Sequence, residues 1–317
     1  MRFAIWGAGS VGLGLATTLA TPEDPIMLIG RDAKTFDAIR AQGLSRTGLF
    51  GDRLIPPSVL RLETEPKALV EAKPDWLLVC TKAFASADVA ETLEPFAASI
   101  SNSTRLVLCQ NGWGNEVPFL PYWPKERLFH ARVITGFHRR RLDRVEVTAH
   151  ASPIALGSVF GEEVGCLASL AEEISDGGIP AEIRADMRAV LWEKMLYNCA
   201  LNPLGALAGR RYGELIENPT TCALVESVIR EIFEVLAAAK IEVPFKDADA
   251  YLETFHAELI PPTAQHESSM LQDLRAGRPT EIEALCGAVE KVAADVEIPT
   301  PVVSSLAMLV RAAEARN

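Results

Sequence analysis

Long apolar runs are missing from this chain. None approaches the roughly 18 residues needed to span a bilayer, and the first residues enter a strand-like segment with no basic stretch ahead of a signal-type core. A cytoplasmic protein with no membrane partner is therefore expected. An excess of basic residues is missing too: 31 Lys and Arg stand against 42 Asp and Glu, a net charge of -11. An extended nucleic-acid surface is excluded on that balance, although a local basic pocket for a phosphate is compatible with it. The six cysteines are scattered singly with no Cys-x-x-Cys pair, which reads as free thiols in apolar surroundings. The five histidines show no metal-ligand spacing such as His-x-x-x-His, so no catalytic metal is expected.

What is present begins with a division in pattern. Apolar runs at Arg2 to Trp6, Pro25 to Gly30, Trp76 to Cys80 and Leu106 to Cys109 recur with helix-like stretches between them. Runs apolar on both faces are what a parallel sheet covered by helices requires. Alternating segments between Leu128 and Gly157, such as Val145 to Thr148, suggest extra antiparallel strands closing this domain. After Asp176-Gly-Gly-Ile-Pro180 the strand signal disappears. Asp186 reads as a cap, and helices are predicted through Lys194 and over 220–240, 248–258, 281–296 and 302–315, separated by prolines. The fold class expected is α/β, with an N-terminal Rossmann-type dinucleotide-binding domain over 1–183 and an all-helical domain over 184–317.

The glycines of Gly7-Ala8-Gly9-Ser10-Val11-Gly12 follow a strand and open a helix, the context in which such a run binds a dinucleotide. The helix N-terminus would face the pyrophosphate. Where an acidic residue usually reads the ribose hydroxyls, this chain has Gly30-Arg31, and an arginine pairs with a 2′-phosphate. The alternative is a solvated arginine opening a helix beside Asp32. Lys82 follows the third run and is a candidate second phosphate contact. Gln110-Asn-Gly-Trp-Gly114 follows the fourth, where its glycines would permit close approach to the nicotinamide; either segment is equally an ordinary turn.

In the second half Lys194, Asn198 and Asn202 recur every four residues in an apolar helix, so one ammonium and two amides share a stripe. Buried polar groups need partners or a cavity, and we read the stripe as the polar wall of an active site. Ser269 and Glu281 flank a turn at Gly277. Glu281 would sit in a first helical turn, where a carboxylate is also favoured as a cap. Arg275 and Arg278 are candidates for a substrate carboxylate, or for solvent.

Together, Lys194…Asn198…Asn202-Pro203 and Ser268-Ser-Met-Leu-Gln-Asp…Arg-Pro-Thr-Glu281 resemble the ketopantoate reductases (2-dehydropantoate 2-reductases), over essentially the whole chain. The resemblance implies NADPH reducing a small 2-keto acid, most simply 2-dehydropantoate to pantoate. It implies Lys194 as general acid, Asn111 touching cofactor and substrate, and Asn198 and Asn202 lining the substrate pocket. Ser269 would hold the substrate carboxylate, and Glu281 would bond the reacting oxygen or nearby cofactor groups. Two substrate-side positions depart from the family pattern: His266 and Tyr212 stand where asparagines are usual. The stretch from Arg132 to His150, with Arg139-Arg-Arg141, also lacks the expected small residues. The alternatives are a paralogue reducing another 2-keto acid, or a non-catalytic NADP(H) sensor, for which the intact Lys194 set has no purpose. A homodimer is left open.

Overall fold

The computed structural model describes residues 1–315; positions 316 and 317 of the expected helical domain lie outside the described residues. The chain divides into two compact units, Met1–Gln110 with Asn115–Met187, and Asn111–Gly114 with Arg188–Asn317.

The first unit opens with β1 (Phe3–Trp6), α1 (Ser10–Leu19), β2 (Ile26–Ile29) and α2 (Ala33–Gln42). It continues through β3 (Leu44–Gly48), β4 (Arg53–Ile55), β5 (Leu60–Glu63), α3 (Ala68–Ala72), β6 (Trp76–Val79), α4 (Ser86–Ile100) and β7 (Arg105–Leu108). β8 (Leu128–Arg132), β9 (Thr135–Arg141), β10 (Arg144–His150), β11 (Ile154–Gly157), α5 (Ala168–Asp176) and β12 (Ala181–Ile183) complete it. The main sheet has the order β12-β11-β8-β7-β6-β1-β2-β5. From β5 to β8 every neighbour is parallel, and β11 runs antiparallel to β8. The strand order therefore reverses beside β1, the arrangement of a dinucleotide-binding sheet.

Alternate residues of each central strand serve opposite faces. Phe3 and Ile5 join Leu13, Leu19, Phe36 and Ile174 in one core, whereas Ala4 and Trp6 join Val89, Leu93 and Ile100 in another. Burial of such side chains stabilises by roughly 1.5–3 kcal/mol each, and it explains why β1, β2 and β6 are buried at every position.

Of the segments expected to close the domain, β8 and β11 pair antiparallel toward one end of the main sheet, whereas β9 and β10 leave it. β9 and β10 form a second sheet with the order β4-β3-β10-β9, in which β10 pairs antiparallel with β9 but parallel with β3. That sheet lies over α1. Phe137 occupies the space a side chain at Gly14 would need, and Arg46 and Arg53 donate to Thr18, Ala20 and Gly177 around the helix end.

The second unit is helical: α6 (Met187–Ala208), α7 (Tyr212–Glu217), α8 (Pro219–Ala238), α9 (Ala248–Thr254), α10 (Ser269–Arg275), α11 (Ala288–Asp295) and α12 (Pro301–Glu314). Wide π turns at Phe255–Leu259 and Glu283–Gly287 adjoin α9 and α11. α6 is about 33 Å long at 1.5 Å per residue, and Pro203 removes one rung of its hydrogen-bond ladder beside Asn202. Trp192, Leu196, Cys199 and Ala200 bury one side of it against Val228, Ile232, Tyr251 and Val289. Asp186 directly precedes α6, and its carboxylate accepts from the Arg184 guanidinium at 2.9 and 2.7 Å. Among the described residues no helix is long and apolar enough to cross a membrane.

Candidate active site

In the first unit the glycine run forms the turn between β1 and α1. Gly7 has φ +115°, and a side chain there would lie 2.9 Å from the backbone of Cys80 and Thr81 at the end of β6. A side chain at Gly12 would lie 1.9 Å from the Gly7 carbonyl. Only hydrogen fits at either place. At Gly9, by contrast, the nearest atom to an added Cβ is 4.0 Å away, so that side of the turn is open. No side chain caps α1 and no acid sits in its first turn, so Ser10, Val11 and Gly12 begin a helix whose N-terminal amides suit an anion. These features fit the pyrophosphate of a dinucleotide, with Ala8 packed beside Gly30 at the end of β2.

Arg31 follows Gly30 and is exposed. Asp32 caps α2, accepting from Lys34 N at 3.1 Å and from the Thr35 hydroxyl, and these bonds hold its carboxyl below the usual range. A second cation is present that sequence reading did not place. Arg139, on β9, donates to the Ala8 carbonyl at 3.4 Å and to Thr35, and lies 3.7 Å from Asp32. Its run of arginines was visible, but the sheet that delivers it to the Gly-rich turn was not. Lys82 is half-buried beyond the carboxyl end of β6, next to Thr81.

In the second unit three side chains from distant parts of the sequence converge. Lys194 Nζ donates to Asn111 Oδ1 at 2.7 Å, and Asn111 Nδ2 donates to Glu281 Oε2 at 3.0 Å. The polarity fixes the amide: an ammonium only donates and a carboxylate only accepts, so the oxygen of Asn111 must face Lys194. The loop carrying Asn111 is fastened to the helices. Trp113 N donates to the Ala284 carbonyl at 2.9 Å, and its ring lies 5.4 Å from that of Trp192, two residues before Lys194 on α6. Gly112 has φ +97°, and any side chain there would meet Ala284 O at 2.3 Å. On the other side, Thr280 N donates to Glu314 Oε1 at 2.6 Å, and the Glu281 carbonyl accepts from Ala284 N and Leu285 N at 3.1 Å. Glu281 thus both opens a helix and holds Asn111, and only 6% of it is exposed.

Asn198 is half-buried one turn along the stripe. Asn202, one turn further, is buried and accepts from the Tyr212 hydroxyl at 2.6 Å. Tyr212 itself lies within the helical core, where burial pushes its phenol far above the ordinary range. His266 is exposed, with its ring 5.1 Å from that of Tyr212 and its carbonyl accepting from Tyr212 N at 3.2 Å. Ser268, not Ser269, caps α10, accepting from Leu271 N at 3.0 Å; Ser269 is exposed on the first turn. Arg275 and Arg278 pair locally, with Glu267 at 2.9 Å and with buried Asp273 at 2.8 Å. These two arginines hold the turn between α10 and Glu281.

Comparison with known proteins bears on both units. Residues 3–160 match the family described as ketopantoate reductase PanE/ApbA, and residues 186–314 match its C-terminal part. A 2-dehydropantoate 2-reductase of Aquifex aeolicus is 32% identical over 319 residues, covering 100% of this chain and 98% of that protein. The chain belongs to the ketopantoate reductase family. As a member it is an oxidoreductase with a nicotinamide dinucleotide as its cofactor. The 2-dehydropantoate 2-reductase structure from Geobacter metallireducens superposes with a TM-score of 0.88 at 25% identity, covering 99% of this chain and 100% of that one. D-mandelate dehydrogenase, solved with NADH and anilino(oxo)acetate, shares the fold at 23% identity, with a TM-score of 0.85 over 100% of this chain and 99% of that one.

Proposed function

We propose that this protein reduces 2-dehydropantoate to pantoate with NADPH in the cytoplasm, with Lys194 as the proton donor. Residues 1–183 would bind the dinucleotide and 184–317, with Asn111, the keto acid. The observation that carries the reading is the chain Lys194–Asn111–Glu281, in which a buried carboxylate fixes an amide that fixes an ammonium. NADPH, when bound, supplies a hydride to the carbonyl carbon. Gly7 to Gly12 would hold its pyrophosphate at the start of α1, Arg31 its 2′-phosphate, and Lys82 a further phosphate oxygen.

The protein's own task is to stabilise and protonate the oxygen that gains charge. An ammonium does both, as a positive partner and as an acid. Asn111 Oδ1 removes the freedom of Lys194 Nζ to turn elsewhere, and Glu281 Oε2 does the same for Asn111. Asn198 and Asn202 supply amides for the hydroxylated end of the substrate, and Ser269 a hydroxyl for its carboxylate. In sum a 2-keto acid, NADPH and a proton give the 2-hydroxy acid and NADP⁺.

A second reading, reduction of a different 2-keto acid, is favoured by one observation. Tyr212 occupies one lone pair of the Asn202 oxygen and fixes the amide's orientation, which turns its N–H donors to any ligand. The test is NADPH oxidation with a panel of 2-keto acids. The first reading expects the highest kcat/KM for 2-dehydropantoate; a clearly higher value for another acid establishes the second, and no turnover with any of them removes both.

A further inference from the structure

Cys222 and Glu226 stand four residues apart on α8 and share one face of it. His256 comes from the π turn that continues α9, thirty residues from Glu226. Such turns are rare and recur at functional sites. The wide turn places the ring of His256 edge-on to Phe255 at 5.3 Å and its Nε2 3.0 Å from Glu226 Oε1. The same carboxylate oxygen lies 3.6 Å from Cys222 Sγ, and the three donor atoms all fall within 4.8 Å of one another. All three side chains are half-buried, accessible to an ion yet held in place. None of them has a role in the reduction.

We propose that Cys222, Glu226 and His256 bind one divalent cation of the zinc class, bridging α8 to the segment that follows α9. Ligands about 2.0–2.3 Å from a tetrahedral zinc lie roughly 3.3–3.6 Å from each other, and the two separations through Glu226 are already close to those edges. A thiolate and a carboxylate supply two negative charges beside a neutral imidazole, which balances a 2+ ion. The sulfur selects a borderline-soft metal over magnesium or calcium. Three protein ligands leave the fourth position to water, so the site is open and exchangeable. Binding expels the thiol proton to solvent as the metal–sulfur bond forms, with no change of oxidation state.

The site was invisible to spacing rules because its histidine and cysteine lie on separate elements. It rests on these three side chains alone and is independent of which keto acid is reduced. The test uses the full chain, stripped with a chelator and titrated with Co²⁺ alone. One ion per chain is expected, with a thiolate-to-metal charge-transfer absorption that Zn²⁺ abolishes by displacement. Cys222→Ala should lose that absorption, His256→Ala should bind at least about tenfold more weakly, and Glu226→Gln should weaken binding without altering the circular dichroism. Zn²⁺ should raise the Tm of the wild type and leave Cys222→Ala unmoved. The proposal is overturned if no thiolate absorption develops, if it persists in Cys222→Ala, or if His256→Ala and Glu226→Gln bind as the wild type does.

Discussion

The hydroxyl of Tyr212 donates to Oδ1 of Asn202 across 2.6 Å, and both residues are withdrawn from water, 3% and 7% exposed. The bond orients an amide on the same stripe as Lys194. Tyr212→Phe keeps the ring's packing but leaves a buried oxygen unpaired, which should cost about 1–3 kcal/mol of stability. Urea unfolding should show a lower midpoint at unchanged slope; an unaltered midpoint would mean that the bond contributes nothing.

Substrate choice should respond to the same pair. Replacing Tyr212 and His266 together by asparagine should shift relative kcat/KM toward 2-dehydropantoate, because an amide supplies a compact donor and acceptor in place of two rings. If the wild type already prefers 2-dehydropantoate and the double variant merely loses activity, the two rings are compatible with that specificity and the shift does not exist.

Removal of the ammonium should separate binding from chemistry. Lys194→Ala should lower kcat by at least about a hundredfold, with NADPH affinity kept. Asn111→Ala should also lower kcat, since it cuts the link between Glu281 and Lys194. A folded Lys194→Ala variant with near-normal turnover at saturating substrate would make the stripe structural.

Arg31 and Arg139 should differ in what they read. A charge-assisted contact contributes roughly 1.5–3 kcal/mol, so Arg31→Ala should narrow the preference for NADPH over NADH by about tenfold or more. Arg139 instead ties Thr35 and Ala8 together. Arg139→Ala should weaken both cofactors in similar proportion, measured as their dissociation constants by fluorescence. Equal losses in Arg31→Ala would show that it does not sense the 2′-phosphate.

Acid should act on the turn after Glu281. Arg311 grips Glu283 at 2.6 and 2.8 Å and holds its carboxyl below the ordinary 4.5. A lowered folded-state pKa means stability fully present above pH 4.5 and lost as the pH falls through the lower value. The carboxylate is largely solvated, so screening keeps the contribution under about 1 kcal/mol. The Tm difference between wild type and Arg311→Ala should therefore be present at pH 7 and shrink on acidification below 4.5; a difference that grows there contradicts the pairing.

The parts legible beforehand were those governed by one repeating pattern. β1, β2, β6 and β7 are nearly continuous apolar runs because helices cover both faces of the sheet. The period of four exposed the stripe on α6, and prolines marked the helix breaks. The second sheet escaped because β3 reads Leu-Ser-Arg-Thr-Gly, with a buried Arg46 that looks like a surface residue until the end of α1 is beside it. The convergence of Asn111, Lys194 and Glu281 depends on a loop lying against Ala284, a contact between residues more than 160 positions apart. The Tyr212–Asn202 bond needs the bend between α6 and α7. No local pattern encodes either.

Asn111–Gly114 is numbered among the strands yet belongs to the helical unit. Any attempt to divide this protein into exchangeable halves at residue 187 would amputate the amide between Lys194 and Glu281 along with the indole that faces Trp192. A fragment starting at Arg188 therefore lacks the side chain that joins Lys194 to Glu281. A foreign sheet fused ahead of Arg188 restores that link only if its own loop carries an asparagine in this place.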